Sequence, residues 1–159
     1  VKSLKDNDCN LIIAGSGPLH AELKAYVATL GKTNIYFMGF VNQSELPRLY
    51  SAVDIFVLPS ENEPWALVVN EVMAASLPVI LGPEIGCAPD LVRHHENGII
   101  LEELTVSCLN LHFSSLLSQP QILQEMGKES QKIISNWSYD NCLDGIREGL
   151  QISGFKIKA

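Results

Sequence analysis

Two carboxylates stand eight positions apart in the stretch Glu63-Pro64-Trp65-Ala66-Leu67-Val68-Val69-Asn70-Glu71. A carboxylate accepts hydrogen bonds from sugar hydroxyls, and it can also steady positive charge developing on a reacting carbon. The stretch joins an apolar strand, Asp54 to Leu58, closed by Pro59-Ser60, to a helical run through Val72-Met73-Ala74-Ala75. In open α/β sheets ligands bind outside the carboxyl ends of strands, where turns of this kind lie. Glu63 is expected on the loop and Glu71 in the first turns of the helix, so both can face one molecule rich in hydroxyl groups. Read alone, such a pair also suits a solvated helix start, because an acid early in a helix complements its dipole. Glu61 misses the spacing and reads as a solvated charge. Trp65 reads equally well as an apolar plug or a sugar platform.

The elements that must hold this pair alternate between strand and helix. Leu11–Ala14 reads as a buried strand ended by Gly15-Ser16-Gly17-Pro18. A helix follows, with Leu19, Leu23, Tyr26, Val27 and Leu30 at helical spacing, stopped by Gly31. Ile35-Tyr36-Phe37-Met38 is a second strand ended by Gly39, and Asn42 or Ser44 is placed to cap a short helix through Leu46, Leu49 and Tyr50. Strands at 55–58 and 78–81 flank a helix over about 67–76. A short helix near 88–93 precedes a hairpin-like Glu96-Asn97-Gly98 and a strand at 99–101. The rest is helical, over about 106–117, 120–135 and 139–151, with Pro120 at a helix start. Trp137 and Tyr139 read as packing residues that tie the last helices to the body.

Short apolar strands alternating with helices imply a parallel sheet covered on both faces. The pattern predicts an α/β, Rossmann-like three-layer domain over 1–152 with a helical C-terminal extension and a loose tail at 153–159. At 159 residues the length suits one domain. Apolar residues at 47% against 18% charged place it among globular chains rather than disordered ones. A net charge of −7 argues against broad affinity for nucleic acid or an anionic membrane surface. No apolar run approaches the roughly 18 residues of a membrane span. Cys9, Cys87, Cys108 and Cys142 match neither a zinc spacing nor a disulfide framework, and read as reduced, mostly packed thiols of a cytoplasmic chain. His94 and His95 point about 100° apart if helical, and His20 and His112 stand alone, so no metal site is expected.

The segments Leu11–Pro18, Ile35–Val41, Asp54–Ser60, Glu63–Glu71, and Gly86 to Asp90 followed by Glu96-Asn97-Gly98 occur in a telling order. Together they resemble the C-terminal half of the GT-B glycosyltransferases. More narrowly, they are similar to the retaining group 1 family, family 4, which uses nucleotide-sugar donors. The resemblance runs from about Leu11 to Trp137. It implies that Glu63 reaches the transferred sugar and that Glu71 holds the ribose hydroxyls. Backbone N–H groups near Trp65, Ala66, Leu67 and Val68 would then face the sugar and diphosphate. Gly39, Phe40 and Val41 fall where the family places the base. Gly15 and Gly17 would let the backbone turn tightly beside the nucleotide, although such turns often need glycine for shape alone. The nucleotide-sugar is a substrate, and neither cofactor nor metal is implied.

Three positions depart from the family pattern. Ala66 stands where glycine is common, Cys87 takes the second place of a usual Gly-Gly pair, and Asp90 replaces the common Glu. They bear on donor geometry rather than on the fold. In the family a preceding strand and loop carry an Arg and a Lys that clamp the leaving diphosphate. That segment would lie before Val1, and Lys2, Lys5, Lys24, Arg48 and Arg93 do not fall on the matching turns. The acceptor-binding N-terminal domain is outside this chain as well, and with it any peripheral membrane association. These 159 residues alone are therefore expected to bind donor with little or no transfer. Without the preceding strand, 11–14 and 55–58 either pair directly or leave two unpaired edges, which invites self-association.

A non-catalytic nucleotide or nucleotide-sugar binding module is the alternative, needing Glu71 but not Glu63. A dinucleotide-dependent oxidoreductase fits worse. Position 20 is His20 rather than the third glycine, and Phe37-Met38-Gly39-Phe40 offers no ribose-binding acid.

Overall fold

The structure, a computed structural model, describes residues 9–154. Its center is the run Val79–Leu81, strand β4 in chain order, in which all three residues are fully buried. A strand that is apolar at every position must be covered on both faces, and this one is. Val79 and Leu81 point into one apolar cluster with Val69, Val72 and Met73, while Ile80 points into a second with Ile99, Leu116 and Met126.

The elements follow in the order β1 (Leu11–Ala14), α1 (His20–Thr29), β2 (Ile35–Gly39), α2 (Leu46–Tyr50), β3 (Phe56–Leu58), α3 (Leu67–Ala74) and β4. Then come α4 (Ala88–Leu91), β5 (Gly98–Ile100), α5 (Val106–Leu117), α6 (Pro120–Ile134) and α7 (Tyr139–Ile152). Each predicted element is present, with ends displaced by a residue or two. Every strand pairing is parallel. The α/β Rossmann-like reading therefore holds, with one difference from a single continuous layer. β1 pairs only with β2, and β3–β4–β5 form a separate sheet. Among the described residues no strand lies between β1 and β3, so each keeps one unpaired edge, the second of the two expected outcomes.

Several local readings are corrected. Neither Asn42 nor Ser44 caps α2 with its side chain; the Asn42 carbonyl accepts from the N–H groups of Glu45 and Leu46. Tyr139 ties nothing to the body, being 92% exposed, and α7 buries none of its residues. Cys87 is buried, Cys9 and Cys108 are half-buried, Cys142 is exposed, and none of the four forms a disulfide. The expectations for Lys2, Lys5 and the tail beyond Gly154 lie outside the described residues.

The hairpin expected at Glu96-Asn97-Gly98 is instead a turn feeding parallel strand β5. The reason is the side chain of Asn97, which is fully buried. Its Oδ1 accepts from the Arg93 N–H at 2.7 Å and its Nδ2 donates to the Leu91 carbonyl at 3.1 Å. Its carbonyl accepts from the Ser130 hydroxyl on α6 and from the Val79 N–H. The side-chain amide of Asn97 thus closes the end of α4, and its backbone carbonyl joins that end to β4 and α6. Gly98 follows because a Cβ there would meet the Val79 carbonyl oxygen at 2.5 Å. Asn97→Ala leaves the Arg93 N–H and Leu91 carbonyl unpaired in the interior. It is expected to lower unfolding stability by about 2–3 kcal/mol, measured by urea denaturation.

Candidate functional site

The Glu63 loop is held by the turn after β4 rather than by its own side chains. The Glu63 N–H donates to the Glu84 carbonyl at 3.2 Å, and the Gly86 N–H donates to the Glu63 carbonyl at 2.8 Å. This is a short parallel bridge, Glu63 against Ile85, extending the β3–β4 pairing past its last ladder residue. Two glycines make the approach possible. A Cβ on Gly82 would lie 2.4 Å from the Ser60 carbonyl oxygen, and one on Gly86 would lie 1.8 Å from that of Pro64. Both distances are far inside contact. The loop is therefore packed backbone against backbone and carries Glu63, half-buried, in a fixed place.

Ala66 turns the chain from this loop into α3. Its φ of 69° and ψ of 70° are left-handed, and it is only 7% exposed. Alanine in that region costs about 1–2 kcal/mol that glycine avoids. This is the physical content of the departure noted at position 66: the backbone there has the shape a glycine would favor, and the methyl group is carried at a strain. The helix that follows has no side-chain N-cap. Among the described residues no protein group accepts from the N–H of Trp65, Ala66, Leu67 or Val68. The first turn thus presents unpaired donors beside Glu63, an arrangement suited to an anion.

Glu71 lies one turn further along α3, half-buried. Its Oε2 accepts from the Tyr50 hydroxyl at 2.8 Å. Tyr50 is 7% exposed at the end of α2 and packs in the same cluster as Val69 and Met73. Burial pushes its phenol well above the usual tyrosine range, and the hydrogen bond and charge of Glu71 add to this. Tyr50 orients Glu71 and leaves Oε1 to accept elsewhere. The sequence marks Tyr50 only as an apolar helix position, and nothing local reveals its partner.

Trp65 resolves toward packing. Its Nε1 donates to Asn70 Oδ1 at 3.1 Å, and its ring lies 5.7 Å from that of Trp137. Trp137 therefore does tie the segment after α6 to the body. Leu67 is 70% exposed at the helix start, and Val68 is half-buried.

The predicted nucleotide-facing glycines sit at the ends of β1 and β2. Gly15, at φ 121°, donates its N–H to the Gly39 carbonyl at 2.7 Å, and Gly39 is itself left-handed at φ 66°. The two turns are one structure. Gly17 has no positive φ and meets no neighbor, so backbone shape does not explain it. Phe40 is 76% exposed and Val41 half-buried just beyond.

Cys87 is fully buried beneath the loop. Burial pushes its thiol up to about 11, the charges of Asp90 and then Glu63 add, and its own backbone N–H opposes. It is an inert, neutral packing group near neutral pH. A cavity of about 600 Å³ lies between the 93–96 turn and α6, lined in part by Arg93, Glu125 and Glu129. None of the predicted site residues lines it.

His112 does not stand alone. Its Nε2 lies 3.3 Å from Glu102 Oε2, and the Cys108 thiol donates to the same oxygen at 3.2 Å. The rings of His94 and His95 lie 6.3 and 6.4 Å from that of His112. The Glu102 carboxyl is held down at about 2, first by its own backbone N–H, then by the Cys108 thiol and the His112 ring.

Two outcomes follow from this geometry. Gly86→Ala drives a methyl group into the Pro64 carbonyl and is expected to lower stability by about 3 kcal/mol, by thermal or urea unfolding. Tyr50 makes stability fall in alkali. Its phenol titrates higher in the folded chain than in the unfolded one, so the contribution is complete below about pH 10 and is lost as pH rises above it. Comparing urea midpoints at pH 8 and pH 11, the loss is expected to shrink in Tyr50→Phe.

The sequence matches the family described as Glycosyl transferases group 1 over residues 1–133. It is 37% identical over 99 residues to glycosyltransferase MJ1607 of Methanocaldococcus jannaschii, covering 62% of this chain and 25% of that protein. The fold is similar to the C-terminal domain of the group 1 protein LpcC of Francisella tularensis. The TM-score is 0.75 at 25% identity, covering 85% of this chain and 73% of that one. It is also similar to Anabaena Alr3699/HepE in complex with UDP-glucose. There the TM-score is 0.76 at 22% identity, covering 97% of this chain and 44% of that one. The chain spans less than half the length of the curated relatives it matches. Its α/β fold is that of one half of a GT-B glycosyltransferase, and the chain belongs to the group 1 glycosyl transferase family.

Proposed function

We propose that this chain is the donor-binding domain of a retaining glycosyltransferase that moves a glycosyl unit from a nucleotide-sugar to an acceptor. The observation that carries the reading is the pinned Glu63 loop running into a helix start whose first N–H groups have no partner among the described residues. The diphosphate of the donor takes those N–H groups, at the positive end of α3. Glu63 hydrogen-bonds the transferred sugar and stabilizes positive charge at its anomeric carbon as the bond to phosphate lengthens. Glu71, oriented by Tyr50, accepts from the ribose hydroxyls through its second oxygen. The joined turns at Gly15 and Gly39, with Gly17, Phe40 and Val41, receive the base. A similar fold that holds UDP-glucose supports this assignment.

In this reading the nucleotide-sugar is the substrate, and no cofactor or metal enters the transfer. The Arg and Lys that clamp the leaving diphosphate, the acceptor site and any membrane-peripheral contact belong to a preceding segment of a longer, cytoplasmic protein. The chain by itself binds donor and transfers little. The unpaired edges of β1 and β3 favor self-association of the isolated chain. No helix among the described residues is long and apolar enough to cross a membrane.

Calorimetry with a nucleoside diphosphate separates the two glutamates. Glu71→Gln is expected to weaken binding about tenfold or more, since a charged hydrogen bond to ribose is lost. Glu63→Gln is expected to leave diphosphate binding nearly unchanged and to abolish transfer by the full-length protein. Unaltered binding in Glu71→Gln overturns the donor assignment. Full activity in Glu63→Gln reduces the chain to a binding module.

A further inference from the structure

Beyond β5 the chain assembles three side chains of different chemistry around one point. Glu102 stands on the loop after β5, just past Leu101, which is 1% exposed and donates its N–H to the Leu81 carbonyl at 2.9 Å. Cys108 and His112 are four residues apart on α5, so they share a face of that helix. The start of α5 is fixed by Thr105, whose hydroxyl accepts from the Cys108 N–H at 3.2 Å. Glu102 Oε2 lies 3.2 Å from Cys108 Sγ and 3.3 Å from His112 Nε2, and the three atoms all lie within 4.8 Å of one another. None of these residues belongs to the donor-binding set.

We propose that Glu102, Cys108 and His112 bind a divalent transition ion of the zinc class, held by one thiolate, one imidazole and one carboxylate. Geometry supports it. Tetrahedral bonds of about 2.3 Å to sulfur and 2.0–2.2 Å to nitrogen and oxygen put neighboring ligand atoms about 3.3–3.6 Å apart. The two spacings to Glu102 Oε2 need to open by only a few tenths of an ångström, and Cys108 Sγ and His112 Nε2 already lie within 4.8 Å of each other. The mixed set of soft and borderline donors selects zinc, cobalt or a similar ion over magnesium and calcium, which take oxygen ligands. His94 is not counted as a ligand. Its Nδ1 accepts from the Ile100 N–H at 3.1 Å, which puts the proton of the neutral ring on Nε2. Solvent completes the shell.

Binding balances simply. Cys108 gives up the thiol proton that it now shares with Glu102, and the proton passes to water as the sulfur bonds the ion. The neutral His112 ring, whose Nε2 proton faces Glu102 before the ion arrives, passes through water to its Nδ1–H tautomer and contributes the Nε2 lone pair, and Glu102 contributes Oε2. One proton leaves per ion. The bound ion ties the loop after β5 to α5 and so stabilizes the folded chain in proportion to its concentration.

The test uses the reduced, chelator-stripped chain titrated with Co(II), followed by Zn(II) competition. One equivalent of Co(II) is expected to produce the near-ultraviolet charge-transfer absorption of a cobalt–thiolate bond, with release of one proton. Cys108→Ser abolishes that absorption, whereas Cys142→Ser, at an exposed thiol on α7, retains it. Glu102→Gln, at a side chain 67% exposed and so tolerated by the fold, is expected to weaken Zn(II) binding by at least about tenfold. Wild-type chain without the absorption, absorption that survives in Cys108→Ser, or unchanged affinity in Glu102→Gln each overturns the proposal.

Discussion

The site depends on two backbones approaching until only glycine fits between them. The carbonyl oxygen of Pro64 occupies the space a Cβ of Gly86 would need, at 1.8 Å, and that of Ser60 does the same at Gly82, at 2.4 Å. With these contacts made, the Glu63 N–H and carbonyl are both paired to the turn after β4. β4 is buried on both faces, so its turn has a fixed position, and the loop inherits it. Conformational freedom is removed from Glu63 by hydrogen bonds and contact made outside its own side chain. That is the form of preorganization expected where charge must be met without reorganization. Cys87, fully buried below, completes the floor with a thiol held neutral.

Much of this was legible because it is local. The alternation of apolar strands and helices, the glycines that end the first two strands and the carboxylates flanking a strand-to-helix turn are short-range signals. What escaped is long-range. Tyr50 and Glu71 are 21 positions apart, and a tyrosine at an apolar helix position carries no mark of its acceptor. Asn97 looked like a hairpin because Asn-Gly favors tight turns, but its amide is spent on Leu91 and Arg93 before any hairpin can form. His112 looked solitary because Glu102 reaches it from outside the helix, although Cys108 four positions earlier was a readable sign. The division into two sheets was anticipated only as an alternative, since no pattern within a strand says whether its free edge finds a neighbor.

Position 66 joins family and chain. The left-handed backbone at this position is the shape glycine favors, which accounts for the glycine that the family resemblance leads one to expect, without reference to any ligand. This chain keeps the shape with an alanine whose methyl group is buried. The fold is therefore strong enough to hold a strained residue at the entry of α3, beside the donors of its first turn. Strain of this kind persists where the surroundings determine the backbone from more than one side, as the Gly86 contact and the packing of Val69 do here.

The two sheets are secured unequally. Among the described residues before Leu46, Val27 is the only one buried, whereas β4 and the inner face of α3 are wholly enclosed. Opening of a segment is governed by the apolar surface that its neighbors cover. In this chain taken alone, β1 and β2 are therefore expected to open before the layer around β4. In the proposed donor site the turns that receive the base are thus the yielding side, and the loop that carries Glu63 is the firm one.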